Sequence, residues 1–266
     1  MSSRLKNIRV MVTRPVEQAT DLIEQINDAG GNASSFPALA IQSNPNSESI
    51  ERCKFVSGYD WIIFISQNAV RYALSLLPIS DWPTTTKIAA VGPTTSNALQ
   101  QAGLQVNKQP VKAMNSESLL EAFAEEDLND KKVLIIRGVG GREKLANGFK
   151  EMGALVDYAE VYNRYCPELD NSHLLNQFEQ GVDVITIASG ETLQNFAELI
   201  ESSTLNDQQK NKLYTCPLII VSERIKVIAE RLGFLNTVIV KEPENKGVVN
   251  AIEEWQNENL AETVND

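Results

Sequence analysis

An α/β fold of two similar flavodoxin-like domains, each built on a parallel sheet, is what this chain of 266 residues predicts. Two observations carry that expectation. The first is a repeat. Ile8-Arg9-Val10-Met11-Val12-Thr13-Arg14 matches Lys131-Lys132-Val133-Leu134-Ile135-Ile136-Arg137, and Trp61-Ile62-Ile63-Phe64-Ile65-Ser66 matches Val184-Ile185-Thr186-Ile187-Ala188-Ser189. Arg14 and Arg137, Gly30 and Gly153, and Ser66 and Ser189 all stand 123 residues apart. Val91 with Val221, and Gly103 with Gly233, stand 130 apart, so the second copy carries about seven extra residues, in a loop near 202–212. The second observation is alternation: short apolar runs bounded by turn residues exchange with stretches of three-four apolar spacing. That pattern builds parallel sheets with helices on both faces.

In the first copy strands are predicted at 8–13, 36–41, 61–65, 87–91 and 104–108. Helices are predicted at 16–29, 47–57, 67–77, 94–102 and 116–126. Leu22, Ile26 and Ala29 give the helical spacing; Ile62–Ile65 is a run short enough for a strand. In the second copy strands fall at 132–137, 156–163, 184–188, 217–221 and 237–240, and helices at 142–152, 171–180, 191–201, 223–232 and 246–257. Residues 43–47 and 80–86 read as loops. A polar, acidic tail, 258–266, is expected to fray.

An apolar content of 42% suits globular cores, and the length suffices for two. The net charge of −11, without a long basic run, speaks against nucleic acid or an acidic membrane surface as partner. A local site for a small anion stays compatible with it. No apolar run approaches membrane-spanning length, and the opening residues carry no apolar signal core. Cys53, Cys166 and Cys216 are odd in number and far apart, which suggests no disulfide framework and a reducing, cytoplasmic setting. His173 is the one histidine, so a histidine-rich metal site is excluded. It reads as a surface residue.

In an open parallel sheet ligands bind beyond the carboxyl ends of the strands. Those positions here are Thr13-Arg14-Pro15, Ser66-Gln67-Asn68, Gly92-Pro93-Thr94-Thr95-Ser96, Arg137-Gly138-Val139-Gly140-Gly141-Arg142, Ser189-Gly190-Glu191-Thr192 and Ser222-Glu223-Arg224. The set offers hydroxyls, small residues and arginine. It offers no paired catalytic carboxylates, no nucleophile with a base and no metal cluster. Helix N-termini attract anions, and arginine adds bidentate carboxylate recognition. The inventory suits a polyanion held by main chain and hydroxyls. Plainer readings exist: Ser66, Ser189 and Thr94 as helix caps, Arg14 and Arg137 as ion-pair partners. The glycine turn at 138–141 lacks the full dinucleotide fingerprint and the P-loop lysine. Tyr158, Tyr162 and Tyr165 read first as packing, although a phenol can serve as a general acid.

Taken in order, Val12-Thr13-Arg14-Pro15, Ala29-Gly30-Gly31, Phe36-Pro37-Ala38-Leu39, Trp61 to Val70, Ala90-Val91-Gly92-Pro93-Thr94-Thr95, Ile136-Arg137-Gly138 and Ala159-Glu160-Val161-Tyr162-Asn163-Arg164 resemble the uroporphyrinogen-III synthase family from Ile8 to Trp255. The resemblance implies an enzyme that closes the linear tetrapyrrole hydroxymethylbilane into uroporphyrinogen III, inverting the last pyrrole ring and releasing water, as a monomer without cofactor or metal. It implies an exchanged domain plan joined by a two-stranded hinge: 1–37 with 166–257 as one domain, 38–165 as the other. It implies Tyr162 as the residue assisting hydroxyl departure. It implies Ser66, Asn68, Thr94, Thr95, Arg137 and Ser189 as substrate-binding positions, to which the strand-end reading adds Arg14, Gln67, Gly92, Gly138, Gly190, Ser222 and Arg224. One departure stands out: where the first copy has Gly92-Pro93-Thr94-Thr95, the second reads Ser222-Glu223-Arg224-Ile225. The competing function is a non-enzymatic, hinge-closing small-molecule binding protein; a sugar-nucleotide transferase would need stronger phosphate-binding turns.

Overall fold

A computed structural model describes residues 4–110, 115–141, 143–168 and 171–265. Arg142, named above among the turn residues, lies outside them. In chain order the elements are β1 (Arg9–Val12), α1 (Val16–Asp28), β2 (Asn32–Ser35), β3 (Ala40–Ser43), α2 (Ser47–Lys54), β4 (Trp61–Phe64), α3 (Gln67–Leu76), β5 (Lys87–Ala90), α4 (Pro93–Gln101) and α5 (Ser116–Ala122). There follow β6 (Lys132–Gly138), α6 (Lys144–Glu151), β7 (Leu155–Tyr165), α7 (Asn171–Gln180), β8 (Val184–Ile187), α8 (Gly190–Ser202), α9 (Asp207–Tyr214), β9 (Leu218–Ile220), α10 (Glu223–Arg231), β10 (Thr237–Ile239) and α11 (Asn245–Asn265).

Contacts divide the chain into two units, Met1–Ala40 with Tyr165–Asp266, and Ile41–Arg164. The chain therefore crosses between them twice, once in β3 and once in β7, which are neighbours in one sheet.

The first unit holds a sheet of order β10-β9-β8-β1-β2, every pair parallel. Counted within the unit this is the flavodoxin-like order. Its inner strands β8 and β9 are buried throughout and β1 is buried beyond Arg9, as parallel strands between helix layers must be, while the edge strands β2 and β10 are only partly covered. Val10 and Val12 face a cluster with Leu22, Ile26 and Ile252; Met11 faces the opposite cluster with Phe36, Ile185 and Phe196. Helix α1 supplies Ala19, Leu22 and Ile26 to that first cluster, a stripe at helical spacing. Leu22 and Ile26, fully buried, each contribute about 1.5–3 kcal/mol of apolar transfer.

The second unit holds a sheet of order β3-β7-β6-β4-β5, with β4, β5, β6 and β7 paired parallel. Ile62, Phe64, Leu134 and Ile136 face one helix layer; Trp61, Ile63, Val133 and Ile135 face the other.

The repeat explains both sheets. β1 pairs with β8, Met11 opposite Ile185, while β6 pairs with β4, Leu134 opposite Ile62. Each opening strand of a copy thus sits beside the third strand of the other copy. Four strands correspond, β2-β1-β8-β9 with β7-β6-β4-β5, their chain order circularly permuted; the fifth strand lies at opposite edges, β10 beside β9 and β3 beside β7. Gly30 and Gly153, equivalent in the repeat, both follow a helix with positive φ (90° and 89°), a conformation that ends helices and favours glycine.

Four differences from the sequence reading have physical causes. The strand expected at 36–41 is two strands, β2 and β3, flanking Phe36-Pro37-Ala38-Leu39. Pro37 has no N–H for a ladder, and the polar run Asn32–Ser35 pairs with β1 as an edge strand although it has no apolar signature. The strand expected at 104–108 reduces to a single bridge, Ala89 with Lys108. The extra loop near 202–212 contains α9, nucleated by a reciprocal cap between Asn206 and Gln209. The tail read as fraying is continuous with α11 as far as Asn265, in residues without proline or glycine.

His173 is exposed, with its ring 5.9 Å from Phe36. The three cysteines are free. Among the described residues no helix is long and apolar enough to cross a membrane.

Candidate functional site

In the second unit, the carboxyl ends of β4, β6 and β7 gather the best-defined group. Ser66 ends β4 and caps α3, its Oγ accepting the Ala69 N–H at 3.1 Å. The same Oγ lies 3.1 Å from the Tyr162 hydroxyl. Tyr162 is 3% exposed, with its ring stacked on Tyr72 at 5.7 Å between centroids. Tyr72 is itself anchored by donating to the Ile41 carbonyl at 3.0 Å. Gly138 makes this arrangement possible, since a Cβ there would fall 2.5 Å from Tyr162 Cε2. So Ser66 is both a helix cap and a neighbour of the candidate acid.

Arg137 leaves β6 on the other face. Leu134 and Ile136 belong to the Tyr162 side, so alternation sends Arg137 with Val133 and Ile135. Its guanidinium, with a side chain 7% exposed, donates to Glu143 at 3.1 Å and Glu160 at 3.2 Å and covers the Tyr158 ring at 4.1 Å. Tyr158 donates to Glu143 at 2.5 Å. Burial, aided by that bond, pushes the Tyr158 phenol up to about 12. The bond to Tyr158 and the nearby guanidinium hold the Glu143 carboxyl below its usual range. The sequence reading has Arg137 binding substrate carboxylates; the partners given to it here are carboxylates of its own chain.

At the end of β5, Gly92 precedes α4, and Pro93 occupies its first turn. Gly92 has no side chain to cap the helix. Thr94 is exposed and Thr95 buried. Gln67 is exposed and Asn68 half-buried at the start of α3.

In the first unit, the ends of β1, β8 and β9 carry the equivalent positions. Thr13 donates to the Thr186 carbonyl at 2.6 Å and ties β1 to β8. Arg14 is half-buried, and its described side-chain hydrogen bond runs to Asn245 Oδ1 at 2.6 Å, at the start of α11. Among the described residues no carboxylate pairs with it. Desolvation alone lowers its pKa from the ordinary arginine value. Ser189 caps α8, accepting the Thr192 N–H at 3.1 Å, with the Thr192 hydroxyl 2.8 Å away. Gly190 packs under α10, where a Cβ would meet Ile228 Cδ1 at 2.6 Å. Ser222 precedes α10 but makes no side-chain cap bond; Glu223 and Arg224 are exposed.

The structure therefore brings Ser66, Gly138 and Tyr162 together in one unit. Arg14, Ser189, Gly190, Ser222 and Arg224 stand at strand ends of the other. Asn245, Tyr72, Glu143 and Glu160, which hold these positions, were not singled out from the sequence. Asn245 meets Arg14 across 231 positions, and no local pattern announces it. Among the described residues no group of three or more His, Cys, Asp or Glu side chains is placed to hold a metal ion.

Comparison with known proteins identifies relatives of this arrangement. The family model described as uroporphyrinogen-III synthase HemD matches residues 20–258. The uroporphyrinogen-III synthases of Salmonella typhimurium and Escherichia coli are each 27% identical over 248 residues, covering 92% of this chain and 99% of theirs. That of Proteus mirabilis is 33% identical over 159 residues, 58% of this chain and 79% of its own. The fold matches uroporphyrinogen-III synthetase from Helicobacter pylori with a TM-score of 0.59 at 14% identity, covering 93% of this chain and 99% of that one. A mutant uroporphyrinogen III synthase from the extremely thermophilic bacterium Thermus thermophilus matches at 0.58 and 16% identity, covering 94% and 98%. With a family match spanning most of its length, this chain belongs to the uroporphyrinogen-III synthases.

Proposed function

We propose that the chain closes hydroxymethylbilane into uroporphyrinogen III with Tyr162 assisting departure of the terminal hydroxyl. The reaction class is that of the family, a cyclising hydro-lyase of haem biosynthesis. The carbon–oxygen bond of the terminal hydroxymethyl group breaks, pushed by the pyrrole nitrogen, and the oxygen leaves as water with an added proton. The substituted carbon of the last ring attacks the resulting azafulvene, giving a spiro intermediate. Cleavage of that ring's original bridge and re-formation at its other carbon deliver the inverted ring, and the proton displaced there balances the one taken up. The pyrroles supply the driving electrons. The protein's task is to hold the chain so that the correct carbon is nearest.

One observation supports the assignment of Tyr162 above the others. It is a nearly buried phenol at the carboxyl edge of a parallel sheet, with its hydroxyl held beside Ser66 at a helix N-terminus. Arg14, a half-buried cation without a described carboxylate partner, is the strongest candidate to meet a substrate carboxylate. Ser66, Gln67, Asn68, Gly92, Thr94, Thr95, Gly138, Ser189, Gly190, Ser222 and Arg224 add hydroxyls, amides, close backbone and a second cation. We read the protein as a cytoplasmic monomer whose net charge of −11 disfavours nucleic acid.

The test supplies fresh hydroxymethylbilane and separates the product isomers. Type III is expected; type I at the spontaneous rate would overturn the function. Tyr162→Phe is expected to lower kcat about 100-fold while KM stays within about twofold. Full turnover in that variant removes Tyr162 from the mechanism.

A further inference from the structure

Tyr162 stands on the wrong face of its strand by simple alternation. Along β7, Ala159 and Val161 belong to one core cluster, while Tyr158 packs on the opposite side against the Arg137 guanidinium. Period two would send Tyr162 the way of Tyr158 and Glu160. It instead joins Ala159 and Val161. The cause is a register shift: Arg137 pairs with Glu160, but Gly138 pairs with Tyr162, so Val161 is an extra residue. A bulge of this kind re-aims the side chains that follow it and is uncommon in parallel pairs.

The bulge is held from the β6 side. One oxygen of Glu160, Oε1, accepts from Arg137 Nε at 3.2 Å and from the Gly140 N–H at 3.3 Å. The Val139 N–H donates to the Tyr162 carbonyl at 2.7 Å. The Glu160 N–H donates to Ser49 Oγ at 2.9 Å, fixing the carboxylate's own strand position. Glu160 thus ties the end of β6 and the glycine turn after it to the residue just before the bulge.

We propose that Glu160 is a positioning residue for Tyr162, with Arg137 as its cationic partner: together they lock the turn onto the β7 bulge and so fix the phenol hydroxyl at Ser66. This rests on the reading of Tyr162 as the acid. It also assigns Arg137 to the geometry of the enzyme before any role toward substrate.

The experiment places Glu160→Ala and Glu160→Gln in the wild-type and Tyr162→Phe backgrounds, and labels tyrosine with carbon-13 at Cζ. Glu160→Ala should lower kcat about tenfold with KM within about twofold, as expected for a sub-ångström to ångström misplacement. Glu160→Gln, which keeps an acceptor for Gly140, should regain most of that loss. In the Tyr162→Phe background Glu160→Ala should change kcat by less than about twofold, because the group it aims is gone. The Tyr162 carbon signal should move in Glu160→Ala. Equal losses in both backgrounds, wild-type kcat in Glu160→Ala while Tyr162→Phe is slow, or an unmoved signal would each overturn the proposal. A moved signal together with wild-type turnover in Tyr162→Phe would support the clamp and sink the acid reading instead.

Discussion

Gly138→Ala is the sharpest perturbation available. The backbone at Gly138 does not have positive φ, so alanine meets no conformational penalty there. The cost is purely steric. An added Cβ would lie 2.5, 2.7 and 3.1 Å from Tyr162 Cε2, Cζ and Cδ2, where carbon atoms rest at about 3.5–4.0 Å. The ring must therefore retreat by about 1 Å. It is stacked on Tyr72 and 3% exposed, so little free space receives it. A shift of that size would stretch the 3.1 Å contact with Ser66 beyond hydrogen-bonding range. Overpacking of this kind costs about 1–3 kcal/mol, with about 1 kcal/mol more for the lost hydrogen bond. Turnover should fall about 10- to 100-fold. Urea unfolding and steady-state closure of hydroxymethylbilane measure the two effects. The control is the same change in a Tyr162→Ala background, where its stability cost should shrink below about 0.5 kcal/mol. An undiminished cost there, or none in the wild type, would refute the steric argument.

Two other expectations follow from the first unit. Arg14→Ala should raise KM about 10- to 100-fold, the worth of a charge-assisted bond to carboxylate, while stability stays near wild type because no described carboxylate depends on it. An unchanged KM removes Arg14 from substrate binding. Asp183 accepts from Arg9 Nε at 2.9 Å and Nη2 at 2.5 Å, and this pairing holds its carboxyl below the usual range. A depressed folded pKa stabilises above the unfolded value near 3.9 and loses that stabilisation as pH falls through the folded one. Asp183→Asn should therefore cost about 0.5–1 kcal/mol at pH 7, given the exposure of Arg9, and the gap to wild type should close in acid. A gap unchanged down to pH 2 would contradict the pairing.

How much was legible in the sequence depends on the range of the interaction. The repeat announced paired strands because short runs such as Trp61–Phe64 and Val184–Ile187 are buried on both faces and so are almost wholly apolar, Thr186 being the exception. Ser66 and Ser189 were readable as caps because capping is local, three residues wide. β2 was hidden because an edge strand tolerates Asn32-Ala33-Ser34-Ser35. The aim of Tyr162 was unreadable because one bulge inverts every alternation argument beyond it. Arg137 shows the limit most plainly. An arginine at a strand end looks the same whether or not glutamates fold against it, and Glu143 and Glu160 lie 6 and 23 positions away.

The interlaced strand order also sets a timetable for synthesis. Everything in the Ile41–Arg164 unit emerges in one uninterrupted stretch and can close its sheet early. The opening strand cannot. β1 occupies an interior slot, and its neighbour β8 begins only at Val184. During translation β1, α1 and β2 wait for the strand that completes their sheet until Val184–Ile187 has been made.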